Sequence, residues 1–356
     1  MEINKIKLEG FRNYQSQEIK LEKGINIFIG DNAQGKTNIL EAIFLCAMGK
    51  SFRTKKEKEM ITFQKEKAQI EIAYEKRDRS GKIKIEIEEK KQIYLNDIKI
   101  KKMSEVLGNL NIVMFSPDDI EILKEGPQKR RIFLNRMISQ LRPSYVHYFN
   151  LYSKTLEQRN NYLRQIKQEN KTEEMLDIWD EKLAEYGTLV FQYRKEFIEK
   201  IKEKIKEIHN KITEEKEEIK IDYQSDCIEK MEYLEKLKKA RKQDIIRGYT
   251  SKGIHRDDFS VFLNGENVGI YGSQGQHRTA ILSLKLSELY VIYDEIGEYP
   301  VLLLDDFMSE LDEKRRRNFV SNITEAQVLI TGTHELVLEN LKYNVYNVKQ
   351  GTITRI

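Results

Sequence analysis

The chain has 356 residues, 34% charged and 39% hydrophobic, and its 62 basic and 58 acidic side chains leave a net charge of +4. That is room for one large or two ordinary globular domains, and so even a balance of charge neither demands nor excludes nucleic acid as a partner. Two cysteines, Cys46 and Cys227, exclude a disulfide framework; no run approaches the ~20 apolar residues of a membrane span and Met1–Lys5 lacks an apolar signal core, so a cytoplasmic setting with no membrane partner is expected.

The N-terminal stretch reads as β-rich. Ile3, Ile6 and Leu8 precede a turn at Gly10-Phe11-Arg12-Asn13-Tyr14, and Ile70–Tyr74, Ile83–Ile87 and Ile93–Leu95 alternate as half-buried strands do. Asn96-Asp97 is a hairpin signal. Between these lies a strand candidate, Ile25–Ile29, and a helical pattern through Ile39, Leu40, Ala42, Ile43, Cys46 and Ala47, with Cys46 expected as a small buried apolar residue. From about Pro127 to Lys220 the character turns charged and helical. Leu183, Tyr186, Val190, Tyr193, Phe197, Ile201, Ile205, Ile208 and Ile212 form one apolar stripe, which predicts a helix over Asp177–Glu217, about 60 Å long and packed on a partner helix. Strand character returns at Phe259–Leu263, followed by an Asn264-Gly265 turn, and again at Val301–Leu304 and Val328–Thr331. The pattern predicts an α/β nucleotide domain, residues 1–125 with 245–356, split by a helical arm domain over 126–244.

The most informative residues join the first strand to the first helix. Gly30-Asp31-Asn32-Ala33-Gln34-Gly35-Lys36-Thr37 fits the phosphate-loop template G-x-x-x-x-G-K-[ST] without a gap. Its glycines allow the tight turn that aims backbone N–H groups at phosphate oxygens, and the helix start adds its positive end. Lys36 is expected on the β- and γ-phosphates of ATP, and the Thr37 hydroxyl on Mg²⁺. A second signal is Val301-Leu302-Leu303-Leu304-Asp305-Asp306, an apolar strand that ends in acids. Asp305 is the expected metal-side ligand, and Asp306 is placed to orient or deprotonate the attacking water.

Two further segments narrow the class. Ser273-Gln274-Gly275-Gln276 precedes a helical pattern and, read alone, is a helix cap; at a helix start it also offers a hydroxyl, amides and a dipole to a phosphate. Ser309-Glu310-Leu311-Asp312 follows the acid pair, and His334 follows the Val328–Thr331 strand, where a lone histidine reads first as a cap or a solvated imidazole. The order of these pieces along the chain is that of ATP-binding-cassette ATPases. Ala33 stands where many loops of the cassette type that this chain resembles carry glycine, which predicts ordinary backbone angles there.

The chain resembles the RecF family of recombination-repair ATPases, relatives of the chromosome-maintenance SMC heads. The resemblance rests on these pieces and on Gly10–Tyr14, Lys50-Ser51-Phe52-Arg53, Gly126-Pro127 with Lys129-Arg130-Arg131, Gln158-Arg159-Asn160 and His255-Arg256-Asp257-Asp258, nearly end to end. It implies an ABC-type P-loop head, a mixed sheet with an antiparallel β-subdomain, carrying a helical insertion with a long arm. It implies an ATP-dependent homodimer in which Lys36 and Thr37 hold ATP from one subunit while Ser273, Gln274, Gly275 and Gln276 close on the γ-phosphate from the other. Ser309–Asp312 would lie along the shared interface, His334 would sense the γ-phosphate, and Arg12 would touch the nucleotide. It also implies duplex and gapped DNA as ligand, RecR and RecO as partners, and help in loading the RecA recombinase. Two departures stand out. No glutamine occurs in Met114–Asp119, where cassette ATPases carry one beside Mg²⁺, and the second acid is Asp306 rather than glutamate, which suits slow, switch-like hydrolysis. Basic clusters at Arg53–Lys56, Lys99–Lys102, Lys129–Arg131 and Lys238–Lys242 read singly as solvated surface, and together could line a DNA groove. The alternatives are the ATPase subunit of a membrane transporter or another SMC-like structural ATPase. The helical insertion exceeds what a transporter subunit carries and is far short of an SMC coiled coil.

Overall fold

The computed structural model describes residues 1–77, 79–169, 171–333 and 341–356. The chain divides into two units, Met1–Ile120 with Ile281–Ile356, and Glu121–Ala280.

Among the described residues the first unit contains two six-stranded sheets. One is antiparallel, built from Glu2–Phe11, Tyr14–Lys20, Ala68–Lys76, Arg79–Ile87, Gln92–Leu95 and Ile98–Lys99. Its period-2 pattern buries Ile6, Leu8, Ile70, Ile72, Ile83 and Ile85 on one face, which Ile3 joins across a bulge before Lys5 by pairing with Tyr74. The Asn96-Asp97 hairpin closes with both residues at positive φ, 49° and 66°, the mirror-image turn that matches strand twist. The second sheet is mixed, in the order Thr352–Arg355, Tyr343–Lys349, Ile25–Ile29, Val328–Gly332, Val301–Asp305, Ile112–Phe115. Ile25–Ile29 is parallel to both its neighbours, Val328–Gly332 and Tyr343–Lys349. Helix α1 (Lys36–Met48) touches both sheets and is buried on nearly every side, which explains its continuous apolar run. Cys46 is fully buried within it. Because the inner strands run parallel, Ile29, Gly332, Asp305 and Phe115 end at one edge, where ligands bind in open α/β sheets.

The second unit is mainly helical: α2 (Pro127–Leu141), α3 (Pro143–Glu169), α4 (Leu176–Thr213) and α5 (Lys230–Arg247), with a small sheet of Ile219–Gln224, Asp258–Leu263 and Glu266–Asn267. The expected long helix is α4, which stops at Thr213 because Glu214 turns left-handed (φ 55°); its 38 residues span about 57 Å. It packs along α3 and α5. This unit takes in residues 245–280, which the sequence pattern had placed with the nucleotide domain. The reason is pairing: Asp258–Leu263 lies antiparallel to Ile219–Gln224 along its whole length. Helix α6 (Gln274–Ile296) begins in this unit.

Two segments that carried the resemblance hold the helices together. Arg159 of α3 is fully buried and donates to Asp180 of α4 (2.6 Å) and Asp244 of α5 (2.9 Å). Asn160 accepts from the backbone N–H of Thr250 at 2.7 Å. Burial pushes His255 down to about 4, so the neutral ring donates from Nε2 to the Thr250 carbonyl (3.0 Å) and accepts from the Tyr152 hydroxyl at Nδ1 (2.7 Å). Asp257 accepts from Arg194 (2.8 Å) and Tyr223 (2.6 Å).

Candidate active site

The octet at residues 30–37 turns the Ile25–Ile29 strand into α1. Gly35 caps the helix at φ +117°, an angle that requires glycine, and a Cβ there would lie 2.5 Å from Asn13 Nδ2 and displace that side chain. The N–H groups of Lys36 and Thr37 open the helix and have no acceptor within it. Lys36 is buried, and its Nζ donates to the carbonyls of Gly30 (2.6 Å) and Asp31 (2.9 Å). Asp31, Asn32 and Ala33 are exposed at the crest of the loop. Ala33 does not take ordinary backbone angles: its φ is +64°. Reversing from strand to helix in so few residues needs a left-handed step, and here alanine supplies it at a cost of about 1–2 kcal/mol. Ala33→Gly should therefore stabilise the protein by about 1 kcal/mol, glycine's larger loss of backbone entropy offsetting the rest. Urea unfolding measures this; an unchanged or lower midpoint at constant slope would mean that the loop carries no such strain.

The loop is braced from two sides. Asn13 Nδ2 donates to the Gln34 carbonyl at 2.6 Å, and the Tyr14 hydroxyl to the Gly35 carbonyl at 3.0 Å. From the Tyr343–Lys349/Thr352–Arg355 hairpin, the Gln350 N–H donates to Gln34 Oε1 at 2.6 Å. None of these braces was expected as a site residue.

The acid strand meets the loop directly. Thr37 Oγ1 donates to Asp305 Oδ1 at 2.8 Å, and Thr331 Oγ1 donates to the same oxygen at 2.8 Å. Burial raises the Asp305 carboxyl above its ordinary range, and the two hydroxyl donors pull it back in part. A hydroxyl and a carboxylate side by side form a hard-oxygen pair suited to Mg²⁺. Among the described residues no three His, Cys, Asp or Glu side chains gather to hold a metal alone, so further ligands would come from phosphate and water. Asp306 sits next, at φ +48°, and its N–H donates to Thr331 Oγ1 at 3.0 Å. That left-handed step ends the strand and separates the two acids. In the Met114–Asp119 segment, Phe115 is in register with Leu304, where the pairing ends, and the Ser116 N–H donates to Asp119 Oδ2 at 2.8 Å.

Arg12 is held on α1 and on the Glu59 carbonyl, to which its Nη1 donates at 2.7 Å. Its guanidinium forks onto Glu41 of α1 (2.8 and 2.6 Å), a fully buried carboxylate that also accepts from Ser51 Oγ at 2.5 Å. Arg53 donates to Asn38 Oδ1 at 2.6 Å and lies 3.5 Å from Glu41. The Glu41 cluster was missed, although two of the segments that carried the resemblance supply its arginines.

Ser273–Gln276 belong to the second unit. They form a reciprocal capping box: the Gln276 N–H donates to Ser273 Oγ (3.2 Å) and the Ser273 N–H to Gln276 Oε1 (2.9 Å). Gln276 Nε2 also donates to Glu217 at 2.9 Å, the Gly275 carbonyl accepts from Thr279, and Ser273 and Gln274 are exposed. His334 lies outside the described residues.

A family model described as an AAA domain matches residues 5–245. The DNA replication and repair protein RecF of Alkaliphilus oremlandii is 42% identical over 368 residues, covering 99% of this chain and 100% of its own. A solved structure of the recombination mediator protein RecF with ATPrS, in the RecFOR pathway, superposes with a TM-score of 0.93 at 37% identity, over 100% of this chain and 98% of that one. An SMC head bound to the C-terminal winged-helix domain of ScpA reaches 0.59 at 15% identity over 100% and 98% of the two chains, which relates the folds. Identity at that level over essentially the whole length, on a matching fold, leaves one assignment: the chain belongs to the RecF family.

Proposed function

We propose that this protein is an ATP-gated DNA-binding protein of recombinational repair. ATP joins two copies head to tail, the dimer holds duplex DNA next to single-stranded gaps, and slow hydrolysis releases it; RecR and RecO act with it in loading RecA. The observation that carries the reading is the 2.8 Å hydrogen bond from Thr37 to Asp305, which brings the phosphate loop and the strand-end acid to one point. Relatives whose structures hold ATP or ATPrS support the ligand, and relatives named for DNA replication and repair support the setting.

In this reading Lys36 exchanges two loop carbonyls for phosphate oxygens, and the first-turn N–H groups of α1 take the remaining oxygens. Thr37 and Asp305 would hold Mg²⁺, which when bound offsets phosphate charge. Asp306 orients the attacking water and accepts its proton. Ser273 Oγ accepts from the Gln276 N–H, which leaves its O–H to donate to the γ-phosphate held by the second copy, with the start of α6 adding its dipole. Neither half is complete alone, so dimerisation follows ATP by mass action. Among the described residues no helix is long and apolar enough to cross a membrane.

Sedimentation velocity with and without ATP, and with gapped duplex, tests the scheme: the monomer should shift to a dimer with ATP and to a larger complex when DNA is added. Ser273→Arg should bind ATP normally yet stay monomeric. Mixed with Lys36→Met, it should recover part of the hydrolysis through one intact composite site; no recovery at any ratio would sink the shared pocket.

A further inference from the structure

The basic clusters conspicuous in the sequence are largely neutralised in the second unit. Lys129 pairs with Glu121, Arg130 with Asp258, Lys239 with Glu235, and Arg241 with Asp177 and Asp180. A different group is not. Arg164 and Lys167 on α3, Arg247 at the end of α5, and Arg256 are all exposed, and among the described residues none of the four forms an ion pair.

Contacts gather these side chains around the end of α5. Lys167 Nζ donates to the Ile246 carbonyl at 2.7 Å. Gly248 ends the helix at φ +73°, and the Arg164 side chain passes 3.1 Å from where a Cβ there would stand. The Arg256 guanidinium lies over the Tyr249 ring, 5.5 Å from its centre. Two apolar groups sit among the cations: Ile246 is 69% exposed and Tyr249 42%. A helix C-terminus is well served by one cation near its last carbonyls, and Lys167 fills that role. Three more cations and an exposed ring and aliphatic chain go beyond what the helix end needs.

We infer that this patch holds the unpaired strand of gapped DNA, with Arg164, Lys167, Arg247 and Arg256 on phosphates and a base stacked at Tyr249 beside Ile246. The inference deepens the reading above and rests on it for the identity of the ligand. Unpaired cations alone would hold any polyanion. The exposed ring selects among them: a base inside a duplex cannot reach it, an acidic peptide offers it no π-face, and an unstacked base does. The charges then track backbone without reading sequence, as at other single-strand sites.

Anisotropy titrations with oligo-dT, blunt duplex and gapped duplex, with ATP present and salt varied between about 50 and 200 mM, test this. Arg164→Glu combined with Arg247→Glu should weaken oligo-dT and gapped-duplex binding by at least about tenfold and reduce the oligo-dT salt slope by about 1.4, at about 0.7 per lost cation. Tyr249→Ala should weaken oligo-dT binding about tenfold with blunt-duplex affinity and salt slope unchanged, and Tyr249→Phe should retain parental affinity. Parental affinity in the charge-reversed protein would overturn the patch and leave the DNA reading standing. So would equal losses on oligo-dT and blunt duplex in Tyr249→Ala, or polyglutamate competing as well as oligo-dT at equal charge. A parental protein that binds no DNA in any form would remove both.

Discussion

Lys36→Met should raise the dissociation constant for ATP by at least about 100-fold and remove ATP-dependent self-association with it. The Nζ is buried and already makes two hydrogen bonds, of 2.6 and 2.9 Å, to carbonyls of its own loop. It is thus held at the loop before any phosphate arrives, and in the proposed role binding would exchange neutral acceptors for charged ones. Hydrogen bonds to charged groups contribute about 1.5–3 kcal/mol each, so losing two phosphate contacts costs about 3–6 kcal/mol, at 1.4 kcal/mol per factor of ten. Methionine keeps the length and the apolar stem, so the surrounding core stays filled. Titration calorimetry reads the affinity and light scattering reads the association. Parental affinity in the variant would show that Lys36 serves only to tie the loop together.

Asp306→Asn is expected to separate binding from turnover. Single-turnover hydrolysis should fall about 10²–10⁴-fold, the usual contribution of a positioned general base, while ATP affinity stays within about threefold. Asparagine tolerates the left-handed backbone at this position (φ +48°) and keeps the N–H bond to Thr331, so the strand end survives. What is lost, in the proposed role, is the carboxylate that would accept the water proton. The ATP-bound dimer should accumulate and release DNA slowly. Hydrolysis at the parental rate would transfer the base role to another residue and leave Asp306 as a turn-former.

The phosphate loop was legible because its chemistry fixes residue types at consecutive positions, and the acid strand because two aspartates end an apolar run. The strands and α4 followed from alternation and from one apolar stripe. Other parts were hidden for physical reasons. Nothing local announces that Ala33 is left-handed; the demand comes from the angle between strand and helix. Glu41 is reached by Arg12 and Arg53, distant in sequence, and only packing makes a buried carboxylate of it. Asn13, Tyr14 and Gln350 brace the loop through backbone acceptors or N–H groups that carry no residue code. Charge clusters misled in the other direction: Lys129 and Arg241 stand out in the sequence, yet carboxylates from other segments neutralise them, while Arg164, Lys167, Arg247 and Arg256 are scattered and meet only in the fold. The strand pairing that draws residues 245–280 into the helical unit is likewise a non-local fact.

The place of Ile25–Ile29 between Val328–Gly332 and Tyr343–Lys349 bears on how the molecule is made. Translation delivers this strand roughly 300 residues before both its neighbours, an interval of about 15–60 s at ordinary synthesis rates. For that time its two edges lack their partners, and an apolar strand in that condition is a template for mispairing. The intervening unit has its own internal pairings and does not have to wait. The nascent chain thus needs chaperone cover at this strand until Val328–Gly332 and Tyr343–Lys349 emerge, and the sheet edge that carries residues 30–37 is complete only then.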